Sequence, residues 1–167
     1  MSEAYFLHQT PRSLAADLIA LTPLDDGDVV LEPFKGEGAF YDSLPATVQK
    51  EWCEASQGRD YTDYTGCADW VISNPPYRLE VGETRVNALW LLLDYFSTRV
   101  SKGIGFLIND KCLSSLTPTR LNVLAGRGLH LTSLTVCSVK KWRGRYYYLL
   151  FTKGDPGAFR FLLPNYA

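Results

Sequence analysis

Residues 68–77 read Ala68-Asp69-Trp70-Val71-Ile72-Ser73-Asn74-Pro75-Pro76-Tyr77. The first six form a short apolar run that closes on a small polar residue, as a buried strand does. Two consecutive prolines then remove two backbone donors and hold the residue before them extended, so the chain can neither continue a ladder nor enter a helix interior. The strand leaves on a fixed path that can aim the Asn74 amide, a backbone carbonyl and the Tyr77 ring at one place. An amide oxygen and a carbonyl accept hydrogen bonds from an amino group, and a ring stacks on a flat face. Those groups suit a planar molecule carrying an NH2. The same tetrapeptide would also serve as a rigid strand exit with no ligand.

Strands and helices alternate on either side of this stretch. Thr10-Pro11 opens a helix, with Thr10 as N-cap, Pro11 at the first helical position, and Leu14, Leu18, Ile19 and Leu21 as its apolar face. Pro23 and the Asp25-Asp26-Gly27 turn stop it. Residues 28–32 are a strand, 36–44 a helix ended by Pro45, and 50–54 a second strand closing on an acid. A polar stretch at 58–66 leads into the strand before Asn74, and 78–85 is a polar loop. Leu89, Leu92, Leu93 and Phe96 recur at helical spacing within a helix over 86–100. A strand covers 103–108, Thr117-Pro118 caps a helix running to Ala125, and long strands at 129–139 and 146–152 flank a basic turn at 140–144. Alternation of this kind implies a parallel sheet covered on both faces, and the short last connection implies an antiparallel pair. The expected fold is α/β, a single domain over 1–167 with a mostly parallel sheet and a C-terminal antiparallel hairpin.

A chain of 167 residues suffices for one domain with a proper core, and 46% hydrophobic with 21% charged residues is a soluble globular composition. No apolar run reaches membrane-spanning length, and residues 1–8 have neither the basic start nor the apolar core of a signal peptide. A cytoplasmic protein is expected. Cys53, Cys67, Cys112 and Cys137 form no C-x-x-C pair, and His8 and His130 are the only histidines. No metal site is expected, and the thiols read as filler in a reducing compartment. Charge is uneven: residues 1–96 hold 6 Lys+Arg against 16 Asp+Glu, residues 97–167 hold 11 against 2. The basic half suits a polyanion. Lys140, Lys141, Trp142, Arg143 and Arg145 mix cations with an aromatic, a turn that could grip phosphates and stack a base. Tyr146, Tyr147 and Tyr148 alternate across the next strand and read as sheet packing.

Glu32-Pro33-Phe34-Lys35-Gly36-Glu37-Gly38-Ala39-Phe40 joins the first strand to its helix. Ligands of such sheets bind at the carboxyl ends of strands, where glycines permit close backbone approach. Two carboxylates, Glu32 and Glu37, disfavour a diphosphate and suit a cation; S-adenosylmethionine, with its ammonium and sulfonium, fits. Glu54 closes the second strand, where an acid can accept from ribose hydroxyls; it reads nearly as well as a solvated strand end. Asp60-Tyr61 could offer a carboxylate and a ring to an adenine, and Asp63-Tyr64 competes for that role.

In this order the stretches resemble the S-adenosylmethionine-dependent N6-adenine DNA methyltransferases. His8-Gln9-Thr10-Pro11-Arg12-Ser13-Leu14 looks like the segment that contacts the methionine end of the cofactor. Residues 32–40 look like the cofactor loop written D-P-F-x-G-x-G, with Glu32 in place of the commoner Asp. Glu54 sits at the ribose acid, Asp60-Tyr61 at the adenine pair, and Asn74-Pro75-Pro76-Tyr77 at the catalytic [DNS]-P-P-[YFW] signature. The order resembles the family's gamma arrangement and covers residues 8–152. The resemblance implies a Rossmann-like class I methyltransferase domain that transfers methyl to the N6 amine of adenine in DNA, with the target base flipped out or single-stranded and Tyr77 stacked on it. No separate target-recognition domain is expected within these residues, so specificity would come from the 78–85 loop beginning at Arg78, from the basic turn, or from a partner, whether a second copy or a specificity subunit. A nucleoid or phage-encoded setting is consistent with this. Three alternatives stay open: an RNA adenine methyltransferase, a protein glutamine methyltransferase, and a non-catalytic nucleic-acid-binding subunit of the same fold.

Overall fold

β-branched and aromatic runs build one six-stranded sheet, and two helical layers cover it. The computed structural model describes residues 9–140 and 142–154; His8 and Lys141, both named above, lie outside the described residues. In chain order the elements are α1 (Arg12–Ala20), β1 (Val29–Glu32), α2 (Ala39–Ser43), β2 (Gln49–Trp52), β3 (Ala68–Ser73), β4 (Arg78–Val81), β5 (Thr84–Asn87), α3 (Ala88–Ser97), β6 (Val100–Asn109), α4 (Asp110–Leu113), α5 (Pro118–Gly126), β7 (Leu129–Cys137) and β8 (Tyr146–Lys153). Short 3-10 turns at Ala55–Gln57 and Tyr61–Asp63 lie between β2 and β3.

The sheet order is β2-β1-β3-β6-β8-β7. The first four strands are parallel, and β8 runs antiparallel to both β6 and β7. The expected mixed sheet is therefore present, with the last strand inserted between β6 and β7. From β1 the chain moves to one side to make β2, then crosses back to place β3 on the other side of β1. That reversal leaves a crevice at the carboxyl ends of β1 and β3, where doubly wound sheets bind ligands.

Each face of the sheet has its own core. Leu89, Leu92, Leu93 and Phe96 of α3 pack on Val71, Ile104 and Phe106. On the other face, Leu18 and Ile19 of α1 and Phe40 of α2 pack with Val30, Trp70, Ile72 and Tyr148. Tyr146 and Tyr148 are buried, as their alternation along the strand implied. None of the described helices is long and apolar enough to cross a membrane.

Several local expectations are corrected. Thr10 does not cap α1: Pro11 takes the cap position without a side-chain bond, and the Thr10 hydroxyl is used elsewhere. Leu21 lies at the helix C-cap and is 53% exposed, off the apolar face. The glycine turn consumes three more residues than expected, because Gly36 and Gly38 both take positive φ (51° and 84°), which delays α2 to Ala39. Residues 78–85 are not a loop. Leu79 faces Val86 across a two-stranded hairpin that turns through Gly82 at φ 60°. α3 starts at Ala88 rather than residue 86, because Asn87 caps it by accepting from the Leu89 N–H.

Two glycines of β6 make the second core possible. A Cβ at Gly103 would lie 2.5 Å from the Trp70 ring, and one at Gly105 would collide with the Tyr148 hydroxyl. That hydroxyl shares a 2.8 Å hydrogen bond with Thr22 Oγ1, which fixes the ring where it is. Gly105→Ala is expected to cost about 1–3 kcal/mol by overpacking. Adding Tyr148→Phe, which removes the nearest colliding atom and leaves the ring carbon at 2.7 Å, should recover part of that loss in urea midpoints; a loss unaffected by the second substitution would mean the crowding lies elsewhere.

Candidate active site

A cleft of about 830 Å³ opens at the carboxyl ends of β1 and β3. β1 brings in Glu32, the glycine turn brings Phe34 and Gly36, and the exit from β3 brings Asn74 through Tyr77. Backbone bonds lace these segments together: Cys53 N–H donates to the Glu32 carbonyl (2.9 Å), and Lys35 N–H donates to the Cys53 carbonyl (3.0 Å).

Glu32 is 2% exposed. Its carboxylate accepts from the Phe34 N–H at 3.2 Å and from the Ser73 hydroxyl, which ties the exit of β1 to the exit of β3. Burial pushes its pKa up to about 8; the Ser73 and Phe34 hydrogen bonds oppose the rise and the charge of Glu54 adds to it. Glu54 behaves oppositely. Burial raises it, yet hydrogen bonds from Ser56 and the Gly36 N–H, with the nearby Lys35 charge, hold it below the ordinary value. Its Oε2 accepts from Gly36 N–H at 2.8 Å, fastening the glycine turn to the end of β2, and its Oε1 accepts from the Ser56 hydroxyl at 2.6 Å. Lys35 lies 4.4 Å over the Trp52 ring.

Asn74 follows β3 directly. Its Nδ2 donates to Thr10 Oγ1 at 3.1 Å, and its Oδ1 accepts from the Tyr77 hydroxyl at 3.1 Å. Pro75 is buried and Pro76 exposed, so the tetrapeptide turns from core to surface within two residues. Ala88 N–H donates to the Tyr77 carbonyl at 3.1 Å, pinning the far end to the start of α3. Tyr77 is half-buried, and burial lifts its phenol above the ordinary range. Its ring centroid is 6.4 Å from that of Tyr146, which lies 4.5 Å from that of Trp142.

The structure thus brings Thr10, Glu32, Phe34, Gly36, Phe40, Glu54, Asn74, Pro75, Pro76, Tyr77 and Arg78 to one cleft. Pro11, Pro33, Gly38, Asp60, Tyr61, Lys140, Trp142, Arg143 and Arg145 do not line it. Asp60 caps its own 3-10 turn, accepting from Thr62 N–H at 2.9 Å, and with Asp63 it lines a separate hollow of about 390 Å³. Tyr61 packs on Phe34, with centroids 5.1 Å apart, and so stands behind the cleft wall. Trp142 continues the aromatic row outward from Tyr77 toward the exposed Arg143 and Arg145.

Sequence reasoning missed Ala55 as a lining residue; it included Lys35 and Ala39 in the glycine turn and Arg85 in the 78–85 stretch without singling them out. Gln9 and Arg12 of the N-terminal segment line the cleft as well, with the Arg12 guanidinium paired to Asp42 at 2.6 Å. Arg85 would have been found had the 78–87 hairpin been recognised. The Thr10–Asn74 bond, spanning 64 positions, leaves no local signal.

No protein-family model matches this chain, and no curated protein matches it by sequence. Solved structures do. A protein from Listeria monocytogenes assigned as a class I S-adenosylmethionine-dependent methyltransferase superposes with a TM-score of 0.66 at 16% identity, covering 89% of this chain. This chain spans 62% of that protein's length. A protein from Vibrio vulnificus YJ016, assigned as the modification subunit of a type I restriction enzyme, gives 0.64 at 12% identity over 89% of this chain and 45% of its own. A complex from E. cuniculi responsible for methylating a translation termination factor gives 0.56 at 16% identity, over 88% and 98%. At such identities the likeness establishes the fold: this chain has the Rossmann-like architecture of class I methyltransferases.

The raised Glu32 pKa has a stability consequence with a definite sign. The folded state holds this proton up to about pH 8, whereas the unfolded chain releases it near 4.5, so rising pH costs stability across that window. Glu32→Gln keeps an acceptor for Phe34 and Ser73 but cannot ionise. The variant should match wild type near pH 4.5 and gain on it by up to about 1.4 kcal/mol per pH unit toward pH 8. Denaturation at several pH values measures this; a gap that does not change with pH would mean that Glu32 titrates alike in both states.

Proposed function

We propose that this protein transfers a methyl group from S-adenosylmethionine to the exocyclic N6 amine of adenine in DNA. The observation that carries the reading is the Asn74 amide and the Pro75 backbone meeting, in one cleft, the buried carboxylate of Glu32 and the glycine turn. The donor set suits such a cofactor: Glu32, Glu37 and Glu54 are acids facing a cleft whose size is within the range of ligand sites. Thr10, Glu32, Phe34, Gly36, Phe40 and Glu54 would hold it. Tyr61 would act through Phe34, and Pro11, Pro33, Gly38 and Asp60 through the backbone that shapes the turns.

The cofactor, when bound, provides an electrophilic methyl group. The remaining work belongs to the chain. An adenine amine is a poor nucleophile because its lone pair is delocalised into the ring. Asn74 Oδ1 and the Pro75 carbonyl would accept its two N–H groups, favouring a tetrahedral nitrogen with its lone pair free. The same oxygens stabilise the positive charge that grows there. Thr10 accepts from Asn74 Nδ2 and thereby orients the amide with Oδ1 toward Tyr77. The target amine would take the place now held by the Tyr77 hydroxyl, and the Tyr77 ring would stack on the base. A base cannot reach this cleft from within a duplex, so it is flipped or single-stranded. The aromatic row to Trp142 and the cations Lys140, Lys141, Arg143 and Arg145 support a nucleic acid rather than a protein as substrate. The restriction-enzyme neighbour supports DNA, and the termination-factor neighbour makes a protein substrate the alternative. Sequence specificity would come from the 78–85 stretch, from the basic turn, or from a partner or second copy.

Labelled S-adenosylmethionine incubated with double-stranded DNA, single-stranded DNA, RNA and release-factor protein tests the substrate, and mass spectrometry of the digest names the modified atom. Asn74→Ala should lower turnover by about 10²–10³-fold, the scale for losing one transition-state hydrogen-bonding group. Cofactor affinity, read by calorimetry, should stay within a few-fold. Near-normal turnover in this variant would sink the mechanism.

A further inference from the structure

We propose that Arg78 and Arg85, on facing strands of the β4–β5 hairpin, form a phosphate clamp that holds the polynucleotide backbone beside the target base. The inference rests on the nucleic-acid reading above and deepens it. β4 begins at the residue after Tyr77, so the hairpin is a direct extension of the catalytic tetrapeptide. Its base is anchored: Asn87 Nδ2 donates to the Lys111 carbonyl at 3.1 Å, and Leu79 packs against the core of α3.

Register decides which side chains share a face. Arg78 is opposite Asn87, and Glu80 is opposite Arg85, so residues 78, 80, 85 and 87 project to the same side. Both arginines are exposed and both line the cleft with Asn74 and Tyr77. Glu80 directly faces Arg85, yet no ion pair joins them within 4.0 Å. Neither guanidinium makes a side-chain hydrogen bond or ion pair with any described residue. Arg143 and Arg145 of the basic turn likewise make no side-chain hydrogen bond or ion pair with a described residue, but they lie outside the cleft; the remaining described arginines are engaged. Arg12 pairs with Asp42 and Arg127 with Asp94, while Arg59, Arg99 and Arg120 lie over aromatic rings. The hairpin carries Glu80 and Glu83 as well, so its net charge is balanced; the direction of the arginines, not their number, makes the site.

Charge is also ordered along the cleft. Around the ends of β1 and β2 the acids Glu32, Glu37 and Glu54 outnumber Lys35, and Arg12 is paired with Asp42, whereas Arg78 and Arg85 lie beyond β3 with no acid paired to them. A cationic ligand is favoured at one end and an anion at the other. A guanidinium fork matches two phosphate oxygens, and two such forks on a stiff ribbon grip a backbone without reading a base.

The test measures binding of a fluorescein-labelled single-stranded oligodeoxynucleotide containing one adenine, across salt from about 50 to 200 mM. Each of Arg78→Gln and Arg85→Gln should reduce the steepness of log K against log salt by about 0.7, the value per single-strand phosphate, and the pair by about twice that. Arg78→Lys/Arg85→Lys, which keeps both charges, should retain most of the slope. In methylation assays the Gln pair should raise KM for the oligonucleotide far more than it lowers kcat, equally for every flanking sequence. Calorimetry with S-adenosylmethionine checks that the variant site is intact. If wild type binds and methylates the oligonucleotide but the Gln pair keeps its slope, the clamp is wrong and the nucleic-acid reading stands. A loss confined to one flanking sequence would replace the clamp with base readout. If wild type binds no oligonucleotide and instead methylates release-factor protein, both fail.

Discussion

One buried carboxylate organises the cleft. Glu32 ends β1 inside the protein, where an unpaired charge would be far more costly than a hydrogen-bonded acid. It is held by the Phe34 N–H from its own turn and by the Ser73 hydroxyl from β3. Ser73 is the last residue of β3, so the bond that settles Glu32 also sets the point from which Asn74 departs. The position of the glycine turn and that of the tetrapeptide are therefore coupled through a single side chain. Ionising Glu32 at neutral pH requires compensation, and a cation placed in the cleft would provide it.

Around that carboxylate, segments far apart in sequence converge without a metal cluster or disulfide among the described residues. Glu54 grips the glycine turn through Gly36, Thr10 reaches Asn74, and Tyr77 is fastened to α3. Acids outnumber Lys35 where β1 and β2 end, and Arg78 and Arg85 lie where the chain moves on past β3. Neighbouring ends of parallel strands can carry opposite charge, so one cleft can receive a cation and an anion side by side.

Much of this was legible in the sequence, for identifiable reasons. β3, β6 and β8 are apolar runs, and α3 repeats Leu89, Leu92, Leu93 and Phe96 at helical spacing, so burial and period agree. The proline pair and the positive-φ glycines mark where backbone geometry is constrained. The failures have physical causes too. Leu79, Val81 and Val86 alternate with Arg78, Glu80 and Arg85, and the charges concealed a strand period in a ribbon with little core beneath it. Thr10 has the form of an N-cap, but its hydroxyl serves a partner that only tertiary structure supplies. Asp60 and Asp63 could not be separated by sequence, and the structure gives them the same small hollow, outside the main cleft.

The placement of β8 bears on how the molecule assembles. β6 meets β3 along one edge and β8 along the other, while β7 pairs with β8 alone. During synthesis β7 emerges before β8, the strand it pairs with in the finished sheet. β6, buried on both faces in the finished protein, meanwhile offers a bare apolar edge, the kind of surface that draws foreign strands. The nascent chain thus passes through a vulnerable interval that closes only when residues 146–153 slot between two waiting neighbours, making the final hairpin a latch on the whole sheet.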